Sequence, residues 1–169
     1  MQPPEPLVFA DDGSFPNSRL PALLYRAAIA TGRDLGPAFE NLFGRNGWTG
    51  SWRNGLYSFH HYHSTAHEVL GIHRGSVKVM LGGEKGRLVT VTAGDVLVIP
   101  AGVAHRNVEA SSDYGVVGAY PTGTSPDVQY GKPGERPATD KTISSLPLPS
   151  LDPVGGAAGS LASLWSKAR

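Results

Sequence analysis

Between Gly55 and about Tyr120 the chain is written in short runs of β-forming residues, "LYSFHHYH", "EVLGIHRG", "SVKVML", "RLVTVTA", "DVLVIP" and "YGVVGAY". Turns bearing Gly or Pro separate them, and short runs punctuated in this way predict strands. The pattern before this block is different. Prolines crowd the start, Leu7 to Ala10 predicts a strand, "DDGS" a turn, and "LPALLYRAAI" is an apolar stretch. In "GPAFENLFG", Ala38, Phe39, Leu42 and Phe43 fall on one helical stripe, Pro37 suits a first helical position and Gly44 a stop. One short helix is expected there. From Pro121 onward the chain holds half of its 14 prolines and shows little periodicity. That segment is expected either to wrap over the strands as an ordered tail or to stay loose, ending in a short helix near "SLASLWSKA". The expected fold is all-β, a sandwich or a small barrel, in one domain. Residues 1–49 form an arm with a short helix, 50–121 the β core, and 122–169 a Pro/Gly-rich segment on it. No internal repeat is visible, which argues for one barrel and not a duplicated pair.

Composition changes the picture by exclusion. With 169 residues and 40% hydrophobic content the chain supports one real core and is short for two. Net charge is +1, 17% of residues are charged, and basic residues do not run together, so no nucleic-acid partner is expected. There is no cysteine, so a bound metal must be held by nitrogen and oxygen. The start "MQPPEPLVFADD" has neither a basic region nor a long apolar one, and the longest charge-free apolar run, "VLVIPAGVA", is broken by proline. No membrane association and a cytoplasmic location are the expectation.

The candidate chemistry lies in histidines. All six fall between His60 and His105, and "HHYHSTAHE" places four of them and a glutamate in nine positions. On a strand, alternate side chains share a face, so His61 and His63 point one way with Tyr57 and Phe59, while His60 and Tyr62 point the other. If Glu68 faces inward on the next strand, Leu70 and Ile72 do too, and His67 and His73 face outward. In "GDVLVIPAGVAHRN" a strand and a Pro100/Gly102 turn lead to His105 at the start of a returning strand, which can present it to the same interior. Three imidazoles and one carboxylate suit a divalent borderline metal: Fe, Mn, Ni, Zn or Cu, which ligand type alone does not separate.

These spacings resemble the cupin motifs. The first reads Gly55, five residues, His61-x-His63, four residues, Glu68, six residues, Gly75; the second reads Gly94, five residues, Pro100-x-Gly102, two residues, His105. The family's asparagine usually follows the histidine by four positions, where this chain has Glu109, with Asn107 two residues earlier. "FADDGSFPNSRLPALLYRAA", "WRNGLYSFHHYHSTAHEVLG" and "PLPSLDPVGG" extend the resemblance to the small single-domain cupins of the YjlB type. The resemblance implies an antiparallel jelly-roll barrel (a double-stranded β-helix), with a short N-terminal helix and a Pro-rich C-terminal tail. It also implies one divalent transition metal held by His61, His63, Glu68 and His105.

Other residues qualify as auxiliaries. His67, Tyr57 and Glu109 are candidates for catalysis or for bonding to the metal ligands, and Phe59, Arg53, Lys78, Asn107 and Tyr120 are candidates for the substrate pocket. Four protein ligands leave up to two of six octahedral positions open, which suits dioxygenase, isomerase or decarboxylase chemistry on an oxygen-bearing small molecule. The alternatives are a metal-dependent binding or sensing module without turnover, and a structural or storage barrel. Cupins often dimerise through a strand-forming N-terminus such as "PLVFA", so a homodimer is expected.

Overall fold

The structure, a computed structural model, describes residues 2–32 and 35–168. Nine strands carry the fold: β1 (Glu5–Phe9), β2 (Ser18–Tyr25), β3 (Trp48–Asn54), β4 (Glu68–Arg74), β5 (Ser76–Leu81), β6 (Arg87–Thr92), β7 (Val96–Ile99), β8 (His105–Ala110) and β9 (Gly115–Pro121). Helices α1 (Leu35–Arg45), α2 (Ala138–Ser145) and α3 (Leu161–Ser166) complete it. The strands form two antiparallel sheets, a six-stranded one in the order β1-β2-β7-β4-β9-β3 and a three-stranded one in the order β6-β5-β8. Among the described residues no strand pairing joins the two sheets into a closed barrel.

Two cores lie on the two faces of the large sheet. Between the sheets, Leu24, Leu70, Ile72, Leu97 and Ile99 meet Val77, Val79, Leu81, Val89 and Val91. On the other face Leu23, Val69, Val98 and Val117 meet Phe39 and Phe43 of α1 and Leu161 and Trp165 of α3. β4 is therefore buried on both sides. The parity expected for it holds, with Glu68, Leu70 and Ile72 toward the small sheet, but the face carrying His67 and His73 is covered and not solvated. Gly71 makes room for the Phe39 ring, which a Cβ there would meet at 2.7 Å. A fully buried phenylalanine of this kind contributes about 3–5 kcal/mol, judged by truncation to alanine elsewhere.

Several sequence expectations need correction. Helix α1 starts before Pro37 and runs through Gly44; it is stopped by Gly47, at φ +75°, whose N–H bonds back to Gly44 O at 3.1 Å. The apolar stretch "LPALLY" lies in β2 despite Pro21, which sits at the register shift opposite β1, where a missing N–H costs no ladder bond. Most importantly, residues 56–63 form no strand. Only single bridges are made there, His61 to His105 and Tyr62 to Gln129.

Candidate metal centre

Two short backbone contacts place the histidines. His61 N–H bonds His105 O at 3.2 Å and His105 N–H bonds His61 O at 2.9 Å, so the 56–63 segment is laid against the start of β8 although it is not a strand. That local extension keeps His61 and His63 on one side, as alternation requires. The Pro100–His105 turn is fixed from both ends. Gly102 N–H bonds His63 O at 2.8 Å, and Gly102 adopts φ +94°, where a Cβ would lie 2.3 Å from Asn17 O. The buried Asn17 in turn accepts Ala104 N–H at 3.1 Å and donates to Ala10 O at 2.7 Å, which holds the residue before His105. Glu68 enters from the first position of β4, paired with Ile99 of β7.

The three imidazoles are buried and close. Ring centroids lie 4.1 Å apart for His61 and His105, 5.5 Å for His61 and His63, and 5.4 Å for His63 and His105. One nitrogen from each lies within 4.8 Å of the others. Each Nδ1 faces a backbone carbonyl: Phe59 O at 3.1 Å for His61, Val103 O at 3.0 Å for His105, and Asp127 O for His63. A carbonyl can only accept, so Nδ1 carries the proton and Nε2 presents its lone pair inward. Glu68 Oε2 joins them, 3.4 Å from His63 Nε2 and 3.2 Å from His105 Nε2.

Electrostatics follow from burial and from that carboxylate. Burial, with His105 beside it, lowers His61 to about 3. Burial also acts to depress His63, but the neighbouring Glu68 carboxylate outweighs it and raises the imidazole above its ordinary value. Burial acts to raise Glu68, and the His63 and His105 imidazoles reverse that and hold it well below the usual carboxylate range. The cluster thus keeps Glu68 ionised and favours one positive charge beside it. Tyr120 donates its hydroxyl hydrogen to Glu68 Oε1 at 3.3 Å and accepts Trp52 Nε1–H at 2.8 Å.

The remaining candidates divide by position. A cavity of about 310 Å³ is bordered by His61, His63, Glu68, His105, Tyr120, Tyr57, Trp52 and Arg53. Arg53 grips Glu40 of α1 through Nε and Nη2 at 2.7 and 2.8 Å. Phe59 lies beside His61 at a centroid distance of 5.7 Å. Lys78 and Glu109 do not border the cavity; strand register sets them opposite one another, and they pair at 2.7 Å at the exposed surface. His67 is also elsewhere. Its Nδ1 accepts Ala101 N–H at 3.0 Å and its ring packs on Trp165 of α3, on the helical side of the sheet. Asn107 pairs with Val79 in register and its N–H bonds Tyr57 O at 2.8 Å, so it braces the cavity wall from behind.

One residue that sequence reasoning missed is Asp127. Its carboxylate accepts Ser64 N–H at 2.6 Å, Thr65 N–H at 3.2 Å and the Ser64 hydroxyl, and its carbonyl holds His63 Nδ1. Thr65 Oγ1 bonds back to Ser125 O at 2.6 Å. This clip ties the turn after His63 to a segment more than sixty residues away; no local pattern signals it.

Comparisons with known proteins bear on the chain's family. The cupin domain family matches residues 53–117. The uncharacterized protein YjlB of Bacillus subtilis (strain 168) is 41% identical over 160 residues, covering 94% of this chain and 94% of that protein. Among solved structures, procruciferin, an 11S globulin from Brassica napus, is 17% identical with a TM-score of 0.39 over 66% of this chain, which spans only 22% of that globulin. Acireductone dioxygenase from Bacillus anthracis, with a cadmium ion in its active centre, is 19% identical with a TM-score of 0.37, covering 55% of this chain and 64% of that one. Superpositions this loose support no inference about the site. The near-complete relation to YjlB and the matched cupin segment do bear on kinship, and the chain belongs to the cupin family, among the small cupins of the YjlB kind.

Proposed function

We propose that His61, His63, Glu68 and His105 hold one divalent transition ion (Fe, Mn, Ni, Zn or Cu), and that the chain is a small-molecule metalloenzyme of the dioxygenase, isomerase or decarboxylase type. One observation carries the reading. Three imidazoles tautomerically fixed by carbonyls turn Nε2 toward an ionised carboxylate in a buried pocket, and His63 Nε2 is buried without a hydrogen-bond partner. Four acceptors converging away from water repel one another unless a positive charge lies between them, either a proton on His63 facing Glu68 or a metal cation that engages all four. When bound, such an ion polarises oxygen ligands as a Lewis acid. The protein's own part is to orient the donors, to hold Glu68 through Tyr120, and to offer a cavity of about 310 Å³ to an oxygen-bearing molecule.

A second reading, binding or sensing without turnover, has support of its own. Apart from the four proposed ligands, the ionisable groups bordering the cavity are Arg53, already matched by Glu40, and the phenols Tyr57 and Tyr120. Burial and the Glu68 charge raise Tyr120 further. None of these is a ready general base. O₂ uptake and turnover by the loaded protein separate the two readings.

Elemental analysis of protein purified without a histidine tag should find about one transition ion per chain; finding none would contradict the proposal. Apparent affinity should also depend on pH in a defined direction. Ligation needs neutral imidazole. His61, lowered to about 3, does not take up a competing proton near neutrality. His63, raised by Glu68, does, so affinity should fall by about tenfold per pH unit below its raised pKa and level off above it. An affinity flat from pH 8 to pH 5 would contradict a site that includes His63.

The same reading takes the two sheets as halves of a jelly roll, with arm 1–49, core 50–121 and segment 122–169 in one domain. It also assigns the chain to the cytoplasm; among the described residues no helix is long and apolar enough to cross a membrane. β1 covers the edge of β2 and ends the large sheet, with Val8 exposed. Such an edge invites pairing, and a homodimer is expected. Light scattering should report a dimer for the intact chain and a monomer after removal of residues 1–12; a monomer in both cases would remove the idea.

A further inference from the structure

Exposed large hydrophobic side chains are few among the described residues, and three of them stand together, Tyr57, Phe59 and Tyr130, at 52%, 42% and 46% exposure, the first of them bordering the metal cavity. They form a row. Tyr57 and Phe59 stack with centroids 4.8 Å apart and planes 16° from parallel, and Phe59 and Tyr130 follow at 5.6 Å and 29°. The row begins at the proposed ligands, because the Tyr57 ring meets the His61 imidazole edge-on at 5.0 Å and borders the cavity. Its backbone is pinned. Tyr57 O accepts Asn107 N–H at 2.8 Å, Tyr62 and Gln129 exchange a pair of bonds at 2.9 Å, and Tyr130 N–H bonds Glu135 Oε1 at 2.8 Å. Rings held in place by ordered backbone and by one another, yet left open to water, offer a ligand a surface that costs little to order.

We propose that this row is a stacking subsite for a planar aromatic or conjugated body, carried by a ligand whose paired oxygens reach the ion. The proposal rests on the metal reading above and names its substrate class. Charge narrows the occupant. Lys132 lies over Tyr130, 4.9 Å from its centroid, so positive charge already occupies the far end and a cationic ligand is disfavoured. A neutral or anionic planar body does not meet that obstacle. The cavity takes its oxygen-bearing head and the row takes the ring.

Three hydroxamates with one chelating head test this by calorimetry on the Ni²⁺-loaded protein: benzohydroxamate, cyclohexanecarbohydroxamate and acetohydroxamate. Benzohydroxamate should bind about tenfold more tightly than either of the others. In the double variant Phe59→Ala/Tyr130→Ala that advantage should shrink to about twofold or less, while nickel content by elemental analysis stays at the wild-type level. With nickel bound, equal affinity for the phenyl and cyclohexyl compounds, or an undiminished advantage in the double variant, would overturn the stacking subsite and leave the metal site standing. A wild-type chain that retains no nickel would overturn both.

Discussion

Replacing His61, His63 or His105 by alanine should take metal content from about one ion per chain to near zero after dialysis, while His60→Ala leaves it unchanged. The magnitude follows from the donor count. If a four-donor site contributes on the order of 12 kcal/mol, each donor accounts for ~3 kcal/mol, or about a hundredfold in affinity. None of the three has a stand-in, since His67 faces Trp165 across the sheet and His60 is engaged at 3.0 Å by Glu84. His60 also rests on Phe15, 5.6 Å between centroids, and does not border the cavity. Metal content near the wild-type level in the three variants, or its collapse in His60→Ala, would contradict the assignment.

The second large effect is on stability and lies far from the cavity. Asp152 is fully buried and accepts Val154 N–H at 2.8 Å, Gly155 N–H at 3.0 Å, Leu161 N–H at 3.0 Å and the Tyr25 hydroxyl. It therefore fastens the start of α3 and the turn before it to β2 in the main core. Asp152→Ala leaves two buried N–H groups, a half-buried one and a phenol without an acceptor, a loss of about 3–5 kcal/mol. For a chain of this size each kcal/mol is worth roughly 2–4 °C, so the melting temperature should fall by ~10 °C. Asp152→Asn, which keeps one oxygen, should lose less. Calorimetric melting that shifts by under ~3 °C for Asp152→Ala would show that residues 152–165 are not locked to the core as described.

The strands β4 to β9 were legible chiefly as short β-forming runs ended by Gly or Pro; β5 and β6 alternate with the two-residue period, while β4, β7 and β9 are buried almost throughout. His61 and His63 were legible through the same period, although the strand itself was not there; a pair of backbone bonds to His105 supplies the extension that a ladder would have given. β3 was missed because "WTGSWRN" alternates poorly, and β2 because Pro21 masks a strand whose bulge absorbs it. Lys78 and Glu109 were read as pocket and catalytic candidates because sequence does not carry strand register, and register is what sets them against each other outside the cavity. Asp127 was invisible for a related reason: its contacts with His63, Ser64 and Thr65 depend on the path of the chain after β9 and on no periodicity. Tertiary path and register decide what surrounds the cluster, while spacing alone brings the cluster together.

Water-proton relaxation of the Mn²⁺-loaded protein tests most directly whether this cluster is an open metal site. A structural site is closed by protein donors, whereas a working one keeps exchangeable positions. Four protein donors facing a cavity of about 310 Å³ predict high relaxivity that drops when malonate or oxalate is added. Low relaxivity that neither compound changes would mean a closed coordination sphere and would contradict the account.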